Sequence, residues 1–415
     1  QLRQAAKAAE DQSWASATID TATGIRSMLA PIGPVAVFGP NNFPLAFNGI
    51  AGGDFAAAIA AGNPVIAKAN PGHPGTTRLL AVAIQKAADA TNMPSATVQM
   101  IYRMGHAEGE RLVSDPRLGA VAYTGAQGAG LKLKAAADAV GKPIYLELSA
   151  VNPVVFLPGA IEERGSDIAG EFVGSCLVGT GQFCTNPGLI VLIAGESTDK
   201  FLGEVTAKFG EAPVGTLLSP NVESSLKESL QALVSAGADK LTEDSGADES
   251  RCCHSNTLLK ITGDQFLSDP VVFQTEAFGN SSLAIVASDI YQAQKCLEQL
   301  EGSLTACVYS HTGGNDDAAY DQLAPALRAR AGRLLNDKMP TGVAVSPAMN
   351  HGGPFPATGH PNFTAVGIPT SLRRFAMLQC FDNVRPHRLP AILQDKNPNG
   401  TTWRYIDGNW SQADA

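Results

Sequence analysis

From Pro34 onward the chain alternates short β-branched apolar runs with longer Ala-rich stretches whose apolar positions recur at helical spacing. Pro34–Phe38 reads as a strand, followed by a turn and a helix from Leu45 to Ala61. Pro64–Lys68 is the next strand and Gly75–Ala90 the next helix. Val98–Tyr102, Ala120–Tyr123 and Ile144–Glu147 continue as strands with helices between them. Strand, helix, strand at this spacing predicts a parallel sheet covered on both faces.

A second series opens at Pro153–Pro158 and runs through a helix at Glu162–Leu177, a strand at Leu189–Ile193 and a helix at Thr198–Phe209. It continues to residue 345 or so and predicts a second α/β domain with its own parallel strands. The C-terminal tail is loop-rich and ends in isolated apolar runs, so it is expected to pack on another domain or subunit. The expected division is 1–147, 148–355 and 356–415. The opening QLRQAAKAAEDQSW reads as the middle of a helix, and the natural protein is expected to begin ahead of Gln1.

At 415 residues the chain exceeds what one core usually serves. A hydrophobic fraction of 44% and a charged fraction of 17% are ordinary for a globular protein. The net charge of −9 disfavours nucleic acid or an anionic membrane as a main partner. No apolar run approaches the roughly 20 residues that span a bilayer. Seven scattered cysteines do not form a disulfide framework, so a reducing, cytoplasmic setting is expected.

Five features carry candidate chemistry. Gly181–Gly188 (GQFCTNPG) is a small-residue loop between a helix and a strand, which gives Cys184 the access a nucleophile needs. A buried structural thiol is the competing reading. Glu147 lies in an apolar strand, where desolvation would raise its pKa and suit a general base; a solvent-facing strand end is the alternative. Asn42 follows the first strand, where open α/β sheets bind ligands and a side-chain amide can donate to an oxyanion. Turn formation by Asn-Asn explains it equally. The Gly125 turn (YTGAQGAG) opens a helix that can approach a diphosphate, but its spacing is not the dinucleotide fingerprint. Lys68 and Glu276, each alone, read as surface charges.

Together, Asn42, Lys68, the Gly125 turn, Glu147, Cys184 and Glu276 resemble the aldehyde dehydrogenase superfamily in order and approximate spacing over essentially the whole chain. The resemblance implies two Rossmann-like parallel α/β domains plus a small oligomerisation element. It implies NAD(P)-dependent oxidation of an aldehyde to an acid. Cys184 would attack the carbonyl carbon, Asn42 and the Cys184 N–H would hold the oxyanion, and Glu147 would activate water to hydrolyse a thioester. Lys68 and Glu276 would hold the cofactor's riboses, and Phe278 would pack by the nicotinamide. Phe38, Pro40 and Gly125 would complete the cofactor contacts, and no metal is implied. Segments such as GQFCTNPG, MNHGGPFPAT and WRYIDG are similar to one branch, which oxidises 2,5-dioxovalerate (α-ketoglutarate semialdehyde). Residues 13–30 and the tail would supply the contacts of a homodimer or homotetramer.

Some positions depart from the family pattern. Pro71 stands where many NAD-preferring members carry a Glu on the adenosine ribose, which moves the expected cofactor towards NADP. His73 or Arg78 would face its phosphate, although a solvent-facing helix start explains both. Ala126 replaces a frequent Ser, Ser149 and Ala150 replace Gly-Gly after the base, and Asn280 replaces a Pro.

Other features are given no role. Cys252-Cys253-His254 lacks a second ligand pair for a metal. His351, His360 and His387 read as loop histidines, and Arg373-Arg374 as a surface pair. Another semialdehyde or an aliphatic aldehyde is the alternative substrate. A cofactor-free thiol hydrolase would need a His partner for Cys184, which the sequence does not point to. A non-catalytic member of the family is the remaining alternative.

Overall fold

A computed structural model describes residues 1–248 and 250–415. They fall into two compact units. The first comprises Gln1–Leu146, Val345–Asn350 and Phe363–Ala415; the second comprises Glu147–Ala344 and His351–Asn362.

The first unit holds two sheets. One is formed by β1 (Thr18–Ile19), β2 (Arg26–Pro31), β15 (Ala376–Phe381), β16 (Arg404–Ile406) and β17 (Asn409–Ser411) in the order β15-β2-β1-β16-β17. The segment expected to supply subunit contacts therefore pairs with the C-terminal tail of its own chain. The tail is not an independent body: Ile368, Leu372, Phe375, Leu389, Ile392 and Leu393 join the same core as Val35, Val37 and Phe55.

The other sheet contains β3 (Val35–Phe38), β4 (Val65–Lys68), β5 (Val98–Ile101), β6 (Ala120–Thr124) and β7 (Ile144–Glu147), in the order β5-β4-β3-β6-β7. Its strands β3 to β6 run parallel. The chain leaves β3 first towards β4 on one side and later reaches β6 on the other. The crevice at the carboxyl ends of β3 and β6 is thus a topological switch point.

The helix expected over Leu45–Ala61 is shorter, Gly53–Ala60. Asn48 is the reason. Its side chain accepts the Ile50 N–H at 3.0 Å and donates to the Pro44 carbonyl at 2.9 Å, offering the backbone a turn in place of helical bonds.

The second unit is built on a seven-stranded sheet. Its strands are β8 (Pro153–Phe156), β9 (Leu189–Ile193), β10 (Asp239–Lys240), β11 (Thr257–Thr262), β12 (Ser281–Ala287), β13 (Ser303–Tyr309) and β14 (Ala331–Asn336). The order is β10-β11-β12-β9-β8-β13-β14, parallel except for β10. Apolar cores lie around Val155, Val191 and Ile285 and around Phe156, Phe172 and Leu192, burying the central strands. Among the described residues, no helix is long and apolar enough to cross a membrane.

Candidate active site

Cys184 lies in the loop that enters β9. Gly179, Thr180 and Gly181 ahead of it all take positive φ, +59°, +59° and +65°. At Gly181 a side chain is excluded twice, by that backbone and because a Cβ would overlap the Gly279 carbonyl. This close approach lays the Cys184 loop against the Glu276–Asn280 segment. Gln182 staples the loop from its other side, donating to the Gly179 and Thr216 carbonyls (3.0 and 3.3 Å) and accepting the Leu218 N–H at 2.8 Å.

Asn152 is the hub beneath the loop. It is fully buried and takes a left-handed φ of +49°, which Asn tolerates better than most residues. Its amide donates to the carbonyls of Cys184 (2.8 Å), Asn186 (3.1 Å) and Ala150 (3.2 Å). Its side-chain carbonyl accepts from the Thr305 N–H and hydroxyl on β13, both at 3.2 Å. Nothing in the local sequence pattern singles out Asn152.

Glu147 ends β7 and is only 1% exposed. The solvent-facing alternative is thereby removed. Its Oε1 lies 2.9 Å from Nε2 of His351, and the same nitrogen lies 3.5 Å from Cys184 Sγ. Its Oε2 is buried without a hydrogen-bond partner among the described residues.

His351 corrects the expectation of a loop histidine without a role: it is 2% exposed and stands between the thiol and the carboxylate. The residues after it are threaded tightly. A Cβ at Gly353 would overlap the Ser303 carbonyl of β13, and one at Gly332 of β14 would overlap the Gly352 carbonyl. Further on, the Leu148 N–H donates to the Ala357 carbonyl at 2.8 Å, so this segment runs along the end of β7.

Burial pushes the Cys184 thiol up, and Glu147 adds to that effect; His351 acts the other way. Burial disfavours a charged His351, but the charges of Glu147 and Cys184 outweigh it and hold the imidazolium well above its ordinary range. The three donor atoms lie within 4.8 Å of one another, the one such cluster among the described residues. One imidazole nitrogen meets both other groups at hydrogen-bond range, the arrangement of a shared proton. Cys252, Cys253 and His254 do not converge: Cys253 accepts the Asp248 N–H, and His254 bonds the Ser255 carbonyl.

Glu276 sits beside this cluster in the second unit. Its Oε1 accepts the Ala150 N–H at 3.4 Å, and burial raises its carboxyl to about 7. It is not a freely solvated charge.

Phe278 follows two residues after Glu276 in the second unit, and the other sequence-predicted residues gather in the first. Phe38, Pro40 and Asn42 follow one another at the end of β3, Lys68 ends β4, and Gly125 follows β6, so three adjacent strands supply them. Burial, with Arg103 nearby, lowers the Lys68 ammonium pKa. A Cβ on Gly125 would lie 2.8 Å from the Tyr123 hydroxyl, which donates to the Ala126 carbonyl at 3.0 Å. The helix that follows, Gln127–Asp138, has no side-chain cap, which leaves its first N–H groups directed out of the helix end. His73 is not solvent-facing: its ring meets the Pro40 carbonyl at 2.9 Å, while Arg78 and Pro71 are exposed. Arg374 is no surface charge either. It is 4% exposed, pairs with Asp54 at 2.8 Å and stacks 4.6 Å from the Phe363 ring centre, a structural role.

The aldehyde dehydrogenase family model matches residues 1–353. Alpha-ketoglutaric semialdehyde dehydrogenase 2 of Azospirillum brasilense is 38% identical over 96% of this chain and 77% of its own. The alpha-ketoglutaric semialdehyde dehydrogenase of Acinetobacter baylyi is 36% identical over 99% of this chain and 79% of its own. The structure of succinic semialdehyde dehydrogenase from Streptococcus pyogenes, complexed with NADP+, aligns with a TM-score of 0.73 at 17% identity. It covers 92% of this chain and 80% of that one, a likeness of fold. The chain belongs to the aldehyde dehydrogenase family, oxidoreductases that act on aldehydes.

Proposed function

We propose that this protein oxidises 2,5-dioxovalerate to 2-oxoglutarate with NADP, with NAD as the alternative cofactor. The carrying observation is that half-buried Cys184, on a loop that backbone geometry holds in place, meets the buried His351–Glu147 pair. The substrate is suggested by the two relatives named for alpha-ketoglutaric semialdehyde. The cofactor preference rests on Pro71, which leaves no carboxylate to repel a 2′-phosphate at that turn.

The residues present suit a nicotinamide dinucleotide. The switch-point crevice lies at the ends of β3 and β6, with the half-buried Lys68 and the uncapped helix end at Gln127 beside it. Phe38, Pro40, Lys68, Gly125, Glu276 and Phe278 are the residues that would hold it. When bound, this group accepts the hydride that the substrate carbon loses.

Cys184, as thiolate, attacks the aldehyde carbon to form a thiohemiacetal. The amide of Asn42 and the Cys184 N–H stabilise the oxyanion. After oxidation the acyl group remains on Sγ as a thioester. Glu147 takes a proton from water, the hydroxide adds to the acyl carbon, and the C–S bond breaks to release the acid and regenerate the thiolate. In this reading residues 1–147 bind the cofactor, 148–355 carry the nucleophile, and the sheet of residues 13–30 with the tail serves a homodimer or homotetramer in the cytoplasm.

The test is the absorbance rise on reduction of NADP+ and NAD+ by the purified protein with 2,5-dioxovalerate, succinate semialdehyde and an aliphatic aldehyde. Turnover is expected to be highest with 2,5-dioxovalerate and NADP+. A tenfold or larger preference for another aldehyde would overturn the substrate assignment.

A further inference from the structure

The second unit places two groups that can each carry negative charge, the half-buried Cys184 thiol and the buried Glu147 carboxylate, in one cluster. Donor atoms of both lie within 4.8 Å. Like charges that close, away from water, oppose each other's ionisation. A thiol next to a buried carboxylate is a poor nucleophile unless a third group offsets the charge it gains on losing its proton.

We propose that His351 is the positioning residue that lets Cys184 ionise beside Glu147, as an imidazolium whose Nε2–H lies between the thiolate and the carboxylate. The inference rests on Cys184 being the nucleophile. In the step, the S–H bond breaks, its electron pair stays on sulfur, and the proton passes to solvent water. Thiol, imidazolium and carboxylate become thiolate, imidazolium and carboxylate, so the cluster goes from neutral to a single net negative charge. Without His351 the same ionisation would leave two negative charges and no positive one.

The distances suit this role. Nε2 lies 3.5 Å from Sγ and 2.9 Å from Oε1, so one proton can be held towards either neighbour. The ring cannot drift: it is 2% exposed, and the backbone just after it is wedged against the β13 and β14 backbone at Gly353 and Gly352. Cys184 is fixed from below by Asn152, so both ends of the S···N contact are held. The charges act in the same direction, since His351 lowers the thiol pKa that burial and Glu147 raise.

The other charged group of this unit that feels Cys184 is Arg333 on β14. Its guanidinium is bonded to the Gly342 and Pro340 carbonyls at 3.1 and 2.6 Å. Glu276 faces the Ala150 N–H next to the cluster.

The experiment is the pH dependence of Cys184 alkylation by iodoacetamide, followed by peptide mass on the whole protein and its variants. In His351→Gln the alkylation midpoint is expected to rise by more than one pH unit, a tenfold or larger slowing at pH 7. In Glu147→Gln it is expected to move the opposite way or not to rise. An unchanged midpoint in a folded His351→Gln protein would overturn the inference, as would an equal rise in both variants. Should His351→Gln not fold, the imidazole of wild type is titrated by NMR before and after Cys184 is alkylated. A fall of the His351 midpoint on alkylation supports the charge coupling, and an unmoved midpoint overturns it. The reading of Cys184 fails separately, by persistence of aldehyde oxidation in Cys184→Ser.

Discussion

In the second unit β8 and β13 bury every residue, and β9 and β12 bury all but one each. In the first, β5 buries none fully, and the helix Pro74–Ala90 that lies against it buries only Thr77. Leu79 and Val82 on that helix are 66% and 45% exposed. The central strands of the larger sheet are closed on both faces, whereas β5 is the edge strand of its sheet and stays open on its outer side. The difference matches the chemistry proposed for each. A carboxylate, an imidazole and a thiol that set one another's charge need a dry, rigid surround. Groups that hold the ends of an exchangeable cofactor need strand ends and helix ends that remain accessible.

The contrast can be broken first at its tightest point. Asn152→Ala removes the donor to three carbonyls and strands them in a buried region. It is expected to cost about 3 kcal/mol of stability and at least tenfold in kcat, as measured by chemical denaturation and steady-state rates. Gly181→Ala should cost about 2–4 kcal/mol, because the new Cβ overlaps the Gly279 carbonyl. Its counterpart in the open unit, Gly128→Ala, meets nothing within 4 Å and should stabilise by about 0.5–1 kcal/mol. Thermal unfolding of the two variants compares the units directly.

Glu276 gives a smaller, pH-dependent effect. With its carboxyl raised from 4.5 to about 7, the folded protein keeps a proton that the unfolded chain releases. Stability is therefore expected to fall as pH rises through that window, by about 1 kcal/mol once partial exposure is allowed for. Glu276→Gln should flatten that part of the profile. The smallest change is expected from Leu79→Lys, within about 0.5 kcal/mol of wild type because the side chain is already exposed. It should leave unfolding unchanged while lowering self-association at high concentration, read by light scattering.

Much of this was legible along the chain. Ile144–Glu147 and Leu189–Ile193 are strands over the residues that their apolar runs indicate, since a buried parallel strand needs little beyond a short β-branched run. The helix before Gly53 was over-extended because Asn48 acts through side-chain bonds that periodicity does not register. Lys68 and Gly125 are at strand ends, as the alternation of elements implies. His351 was not legible: it reaches Cys184 across 167 residues, and no local spacing announces such a contact. The trace it did leave was the Gly352-Gly353 pair, which marks backbone running close to other backbone. Asn152 was hidden in the same way, its left-handed turn and five bonds being properties of the folded unit.

The central claim is that Cys184 becomes acylated and that Glu147 releases it. The direct measurement is the mass of Glu147→Gln protein mixed with 2,5-dioxovalerate and NADP+, with the adduct located by peptide sequencing. An acyl adduct is expected to accumulate on Cys184 and to be absent from Cys184→Ser. An adduct on another cysteine, or unimpaired turnover in Cys184→Ser, would contradict it.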